Sequence, residues 1–256
     1  MLTPILFIGH GSPTNAIDNN EYTRTWKELG QQLPTPKSIV CISAHWQTVG
    51  TQITSLLRPQ TIHDFSGFTR KLFETHYLVN GNPELARHIA TTLDTENITL
   101  NTNRGLDHGA WSILRNMYPD ADIPVLQLSL DQTKTPQEHY DLGKKLRFLR
   151  EENTLIIGSG SIIHNLSKLD WTNSQISFNW AESALEKIKQ LIVSNDHQAL
   201  INYPHLDDDV QLAIPTPEHF IPLLYILALK SESDKLSFFN DKIEMGAISM
   251  TSVICQ

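Results

Sequence analysis

Along the chain, short apolar, β-branched runs alternate with longer stretches in which apolar residues recur every three or four positions. Runs bounded by turn residues at 5–8, 38–43, 52–56, 125–130 and 154–157 predict buried strands. Between them, 22–33 reads as a helix opening after an Asp/Asn-rich turn, and 83–93 as one with Pro83 in its first turn and Leu85, Ile89 and Leu93 on one face. The stretch 136–150 repeats the device with Tyr140, Leu142, Leu146 and Leu149, and 178–193 does so with Ala181, Leu185, Ile188 and Ile192. Strands alternating with helices predict an α/β fold with a mixed, largely parallel central sheet flanked by helices. Runs at 236–239 and 247–253 read as two further strands, antiparallel members at an edge. No repeat, low-complexity tract or Pro/Gly/Ser linker divides the chain, so residues 1–256 are expected to form one domain. The least regular stretch, 50–80, carries His63-Asp64-Phe65-Ser66-Gly67-Phe68 and reads as a loop over a site.

Composition narrows the class. With 20 Lys+Arg against 28 Asp+Glu, the formal net charge of −8 argues against binding nucleic acid or an anionic membrane surface by bulk charge. Cys41 and Cys255 are the only cysteines and make no disulfide framework. The N-terminal stretch has no basic start, its first Lys or Arg being Arg24, and the longest apolar run, 220–229, contains Pro222 and is far shorter than the ~20 residues of a membrane span. A cytoplasmic protein is expected. Histidine, at eleven copies, is the unusual component.

Their positions matter more than their number. His10 follows the first strand in Gly9-His10-Gly11-Ser12-Pro13, His45 follows the second in Ser43-Ala44-His45-Trp46, and His164 lies beyond the turn that ends the 154–157 strand. Ligands of open α/β sheets bind at that carboxyl edge. His219 sits in a Pro-braced entry to the apolar helix ending near Leu229, and His108 stands just before another helix. Clustered neutral imidazoles suit Zn²⁺ or Fe²⁺ better than Mg²⁺ or Ca²⁺, and the adjacent Asp107 and Glu218 could orient them or act as acid or base. Histidines 63, 76, 88, 139, 197 and 205 lack such placement; His88 and His139 read as solvated or half-buried on helices, while His63 belongs to the covering loop. Gly158-Ser159-Gly160 completes neither a phosphate loop nor a dinucleotide fingerprint, and neither Ser12 nor Ser159 stands in a nucleophile elbow.

Taken in order, Gly9-His10-Gly11-Ser12-Pro13, Ser43-Ala44-His45-Trp46, Gly105-Leu106-Asp107-His108-Gly109-Ala110-Trp111, His164-Asn165-Leu166 and Pro215-Thr216-Pro217-Glu218-His219-Phe220 resemble the 4,5-DOPA extradiol dioxygenase family. These are class III extradiol ring-cleavage enzymes, related to the catalytic subunit of protocatechuate 4,5-dioxygenase. The resemblance runs from about residue 5 to 253. It implies one catalytic domain with one divalent metal ion, zinc or Fe(II), held by His10, His45, His164 and His219. It leaves His164 open between a ligand and an acid/base group, and makes His108 a catalytic or substrate-contacting residue. The implied partners are a small aromatic diol and O₂, and the implied assembly a monomer or small homo-oligomer. Thr69 replaces a common proline, and Ser112-Ile113 a usual Val-Pro pair, both near the expected substrate pocket.

Extradiol cleavage needs open coordination positions, two for a catecholate and one for O₂. Three protein ligands such as His10, His45 and His219 leave that room, whereas four crowd it. It also needs a metal able to pass electrons, which Fe(II) does and closed-shell Zn²⁺ does not. His164 or His108 supplies a base for the catechol proton. Two further readings of the same cluster are a zinc hydrolase with Glu218 or Asp107 as base, and a non-enzymatic zinc-binding protein.

Overall fold

A computed structural model describes residues 2–256. The strands are β1 (Ile5–Gly9), β2 (Ser38–Thr48), β3 (Gln52–Thr54), β4 (Thr99–Asn101), β5 (Val125–Asp131), β6 (Thr154–Gly160), β7 (Leu236–Phe239), β8 (Ile243–Glu244), β9 (Ile248–Ser249) and β10 (Ser252–Cys255). Eight of them form one sheet in the order β4-β3-β5-β2-β6-β1-β10-β7, and β8 pairs with β9 separately. The centre, β5-β2-β6-β1, is parallel, while β3 against β5 and β10 against both β1 and β7 are antiparallel. This is the α/β architecture with a mixed, largely parallel sheet that the hydrophobic pattern predicts.

The central strands are apolar on both sides because both faces are covered. One layer packs Phe7, Val40, Ile42, Leu126, Leu128 and Ile156 under the helices Pro136–Lys145, Asn179–Val193 and Ile221–Leu229. The other packs Leu6, Ile8, Ile39, Cys41, Val125 and Ile157 under Glu21–Gln32 and His108–Met117. Every residue of Ile221–Leu229 is buried, which is why its sequence is apolar all round rather than amphipathic.

Two boundaries and one burial differ from the pattern-based expectation. The 136–150 helix ends at Lys145 and resumes as the short helix Phe148–Glu151. The 247–253 strand divides into β9 and β10, which pair in different sheets. His139 is buried rather than solvated or half-buried, its Nδ1 2.9 Å from the Tyr225 hydroxyl.

Arg150, wholly buried, ties distant parts of the chain together. Its guanidinium donates to the carbonyls of Thr3 and Leu229, each at 2.8 Å, and pairs with both carboxylate oxygens of Asp234 at 2.7 and 3.0 Å. The segment leading into β1, the end of the central apolar helix and the approach to β7 thus share one cation.

Candidate active site

The carboxyl edge of the parallel strands gathers the histidines. His10 follows β1 directly, its backbone N–H still bonded to the Gly160 carbonyl at 3.1 Å. His45 lies within β2 where the pairing with β5 changes register between Ile42 and Gln47, an irregularity that re-aims side chains. His219 precedes the helix Ile221–Leu229, and its carbonyl accepts the Ser161 N–H at 2.9 Å. A Cβ on Gly160 would stand 2.1 Å from that carbonyl oxygen, so only glycine lets the His219 segment lie so close against β6. The same holds at Gly109, where a Cβ would stand 2.6 Å from Ser43 Oγ and 3.1 Å from the His45 ring.

Ring nitrogens of His10, His45 and His219 all lie within 4.8 Å of one another. Hydrogen bonding fixes which nitrogens face inward. Ser159 Oγ donates to the Gly109 carbonyl at 2.6 Å, so its contact with His10 Nδ1 at 3.0 Å has the imidazole as donor. Glu218 Oε1 lies 3.2 Å from His219 Nδ1 and accepts a hydrogen bond from its N–H. Both rings therefore present the Nε2 lone pair. His10 Nε2 sits 3.0 Å from His45 Nε2, and His219 Nε2 is buried without a hydrogen-bond partner. Nitrogens bound at about 2.0–2.1 Å and at right angles on one ion stand roughly 3 Å apart. An orphaned buried nitrogen and two converging lone pairs fit a metal ion.

The protonation states agree with that use. Burial, reinforced by the neighbouring imidazoles, holds His10 far below its ordinary value, and the same causes bring His45 to about 2. Burial with the charge of His219 takes His164 to about 3, and burial lowers His219 against the opposing pull of Glu218. Neutral imidazole is the form that binds metal. Around them stand fixed anions. Burial pushes the Asp64 carboxyl up, but hydrogen bonds from the His108 ring and backbone outweigh it and hold it at about 2. Glu218 likewise stays at about 2 because bonds from His219, Thr216 and backbone outweigh its burial.

His164 stands beside this trio. Its ring stacks on His219 with centroids 3.5 Å apart and planes 9° apart, and its backbone is anchored to Ala213 and bridged to Ile248. Its ring nitrogens group with Glu218 and His219 rather than with His10 and His45. His108 opens the helix His108–Met117, capped by Asp107, and its ring centroid is 4.0 Å from that of His45. Asp107 accepts from Ser43 Oγ at 2.7 Å and from Gln127 Nε2 at 2.8 Å, joining β2, β5 and the helix start in a buried network. Asp107 and Glu218 therefore act as acceptors that orient their neighbours.

The remaining histidines lie apart from the cluster. His63 donates to the Thr75 carbonyl at 2.9 Å and packs on Phe65, Phe73 and Trp111; His88 pairs with Glu152 at the surface. Three participants carry no role in the sequence reading: Ser159, set aside there as a nucleophile, Ser43 and Asp64. Asp64 was visible only as the neighbour of His63 in the irregular loop. Its Oδ1 accepts from both the backbone N–H and the Nδ1–H of His108, at 3.0 and 2.9 Å.

A mixed α/β sheet that brings three neutral imidazoles to the carboxyl edge of its strands, two of them oriented by a hydroxyl and a carboxylate, defines a histidine-ligated metalloenzyme. Residues 3–254 match the model of the catalytic LigB subunit of aromatic ring-opening dioxygenase, and the chain belongs to that family. It is 43% identical over 255 residues to the 4,5-DOPA dioxygenase extradiol of Escherichia coli K12, covering 98% of this chain and 93% of that protein. The Beta vulgaris protein of the same name is 34% identical over 252 residues, covering 96% of this chain and 94% of its own length. The crystal structure of an uncharacterized protein from Escherichia coli K12 superposes with a TM-score of 0.88 at 38% identity, covering 99% of this chain and all of that one. Family membership favours the dioxygenase over the zinc-hydrolase and non-enzymatic zinc-binding readings of the cluster.

Proposed function

We propose that the chain, acting as one catalytic domain over residues 1–256, opens small catechols by extradiol cleavage with O₂, DOPA-like diols among them. The observation carrying this reading is the convergence of His10, His45 and His219 nitrogens within 4.8 Å, with His219 Nε2 left unpartnered. These three residues are the ligands we assign to one Fe(II) ion, with zinc as a redox-inert occupant of the same site. Bound there, iron supplies the one-electron chemistry that couples a catecholate to O₂.

The residues of the chain do the rest. Three ligands leave coordination space for both substrates, which is the reason for assigning His164 a different part. Stacked on His219, His164 accepts a catechol hydroxyl proton through a ring nitrogen and returns it during ring opening. His108, with Nδ1 committed to Asp64, offers Nε2 to the substrate. Ser159 and Glu218 keep the ligand rings of His10 and His219 oriented. No helix among the described residues is long and apolar enough to cross a membrane, in keeping with a cytoplasmic enzyme acting on a dissolved substrate.

The test is a single-turnover reaction of anaerobically Fe(II)-loaded protein with a panel of catechols including L-DOPA, followed by isotopically labelled O₂. The expected product is ring-opened next to the diol and carries both labelled atoms. No ring-fission product across the panel refutes the assignment.

A further inference from the structure

The loop over the site does more than cover it. Residues 61–80 run almost without regular structure, yet the part that reaches the histidines is tightly held. Ile62 N–H donates to the Leu106 carbonyl at 2.7 Å, and Trp111 Nε1 donates to the Ile62 carbonyl at 2.8 Å. Thr61 and Tyr77 bond each other across the loop's base, and Phe65 packs edge-on to His108 with centroids 5.7 Å apart. The side chain delivered between these anchors is Asp64. One of its oxygens takes two bonds from His108, and the other lies 4.0 Å from His45 Nδ1.

We propose that Asp64 is a positioning residue that holds the His108 imidazole in one orientation and as its Nδ1–H tautomer, so that Nε2 is the nitrogen offered to substrate. Two donors from one residue onto one oxygen fix both the helix start and the ring, which a single contact would leave free to rotate. A carboxylate can only accept, so it selects the tautomer; without it either ring nitrogen carries the proton. The covering loop thereby supplies part of the catalytic arrangement rather than only a wall. The kinetic consequences rest on the ring-opening function proposed above; the tautomer does not.

The experiment compares wild type, Asp64→Ala and Asp64→Asn. Nitrogen-15 NMR of zinc-loaded, histidine-labelled protein, with the His108 signal assigned by its loss in His108→Asn, reads the tautomer without turnover. The expected result is a pure Nδ1–H form in wild type, a mixture in Asp64→Ala, and retention in Asp64→Asn, whose side-chain oxygen still accepts both bonds. In the Fe(II) enzyme, Asp64→Ala lowers kcat about 10- to 100-fold while KM stays within about threefold. Metal content is unchanged, and Asp64→Asn recovers most of the loss. An unchanged tautomer in Asp64→Ala overturns the proposal, as does equal impairment of both variants. If wild type opens no catechol, the function fails, and the tautomer measurement still decides the role of Asp64.

Discussion

At the scale of single residues, the site is a set of hydrogen bonds that decide which nitrogen of each imidazole points inward. Ser159 is the simplest case: with its proton on the Gly109 carbonyl, it can only accept from His10. Ser159→Ala is expected to weaken metal binding about 10- to 100-fold, as loss of a partner behind a metal-binding histidine does, and competition with a fluorescent chelator measures it. His10→Ala and His45→Ala should abolish stoichiometric metal binding, whereas His88→Ala, which removes a surface hydrogen bond to Glu152, should retain it. His164→Ala should keep its metal and lose turnover; elemental analysis beside the single-turnover assay separates the two effects. The candidate histidines were legible because His10, His45 and His164 follow readable strands while His108 and His219 stand at the entry to readable helices. Ser159 and Asp64 were not, since an orienting role depends on what a side chain touches across 149 residues in one case and 44 in the other.

At the scale of elements, the pattern revealed every central strand and the main helices, because a buried parallel strand and an amphipathic helix leave different periodicities. It did not reveal how β2 deals with His45. The run 38–43 is uniformly apolar and easily seen, but the strand continues to Thr48 through a register shift that only pairing with β5 defines. It also missed the division of 247–253, since two short strands in different sheets read as one apolar run. Close approach between elements matters as much as their existence. Gly160→Ala places a methyl group against the His219 carbonyl, so the segment carrying that proposed ligand must move. The expected outcome is a folded protein, by circular dichroism, with sharply reduced metal affinity.

For the whole molecule, the net charge of −8 argues against anionic partners held by bulk charge, and we place substrate recognition at the histidine edge. Stability depends on buried polar groups far from that edge. Asp234→Ala leaves Arg150 buried and unpaired beside Thr3 and Leu229, which should cost about 3–5 kcal/mol in urea denaturation without altering metal stoichiometry. His139 makes stability depend on pH. Burial brings its value from 6.5 to about 4, so below pH 6.5 the unfolded chain binds a proton that the folded chain refuses. Its contribution is complete above pH 6.5 and is lost as pH falls through about 4. Denaturation of wild type and His139→Gln across that range should show the wild-type advantage shrinking by roughly 3 kcal/mol toward the acid end.

The central claim is that His10, His45 and His219 alone bind the metal, leaving His164 to handle protons. Anomalous diffraction at the iron edge from crystals loaded anaerobically with Fe(II) tests it most directly. The account predicts a single peak per chain, bonded to the Nε2 atoms of those three residues, with the His164 ring still stacked on His219 and outside the coordination sphere. A peak bonded to a His164 nitrogen, or lying away from the three, would contradict it.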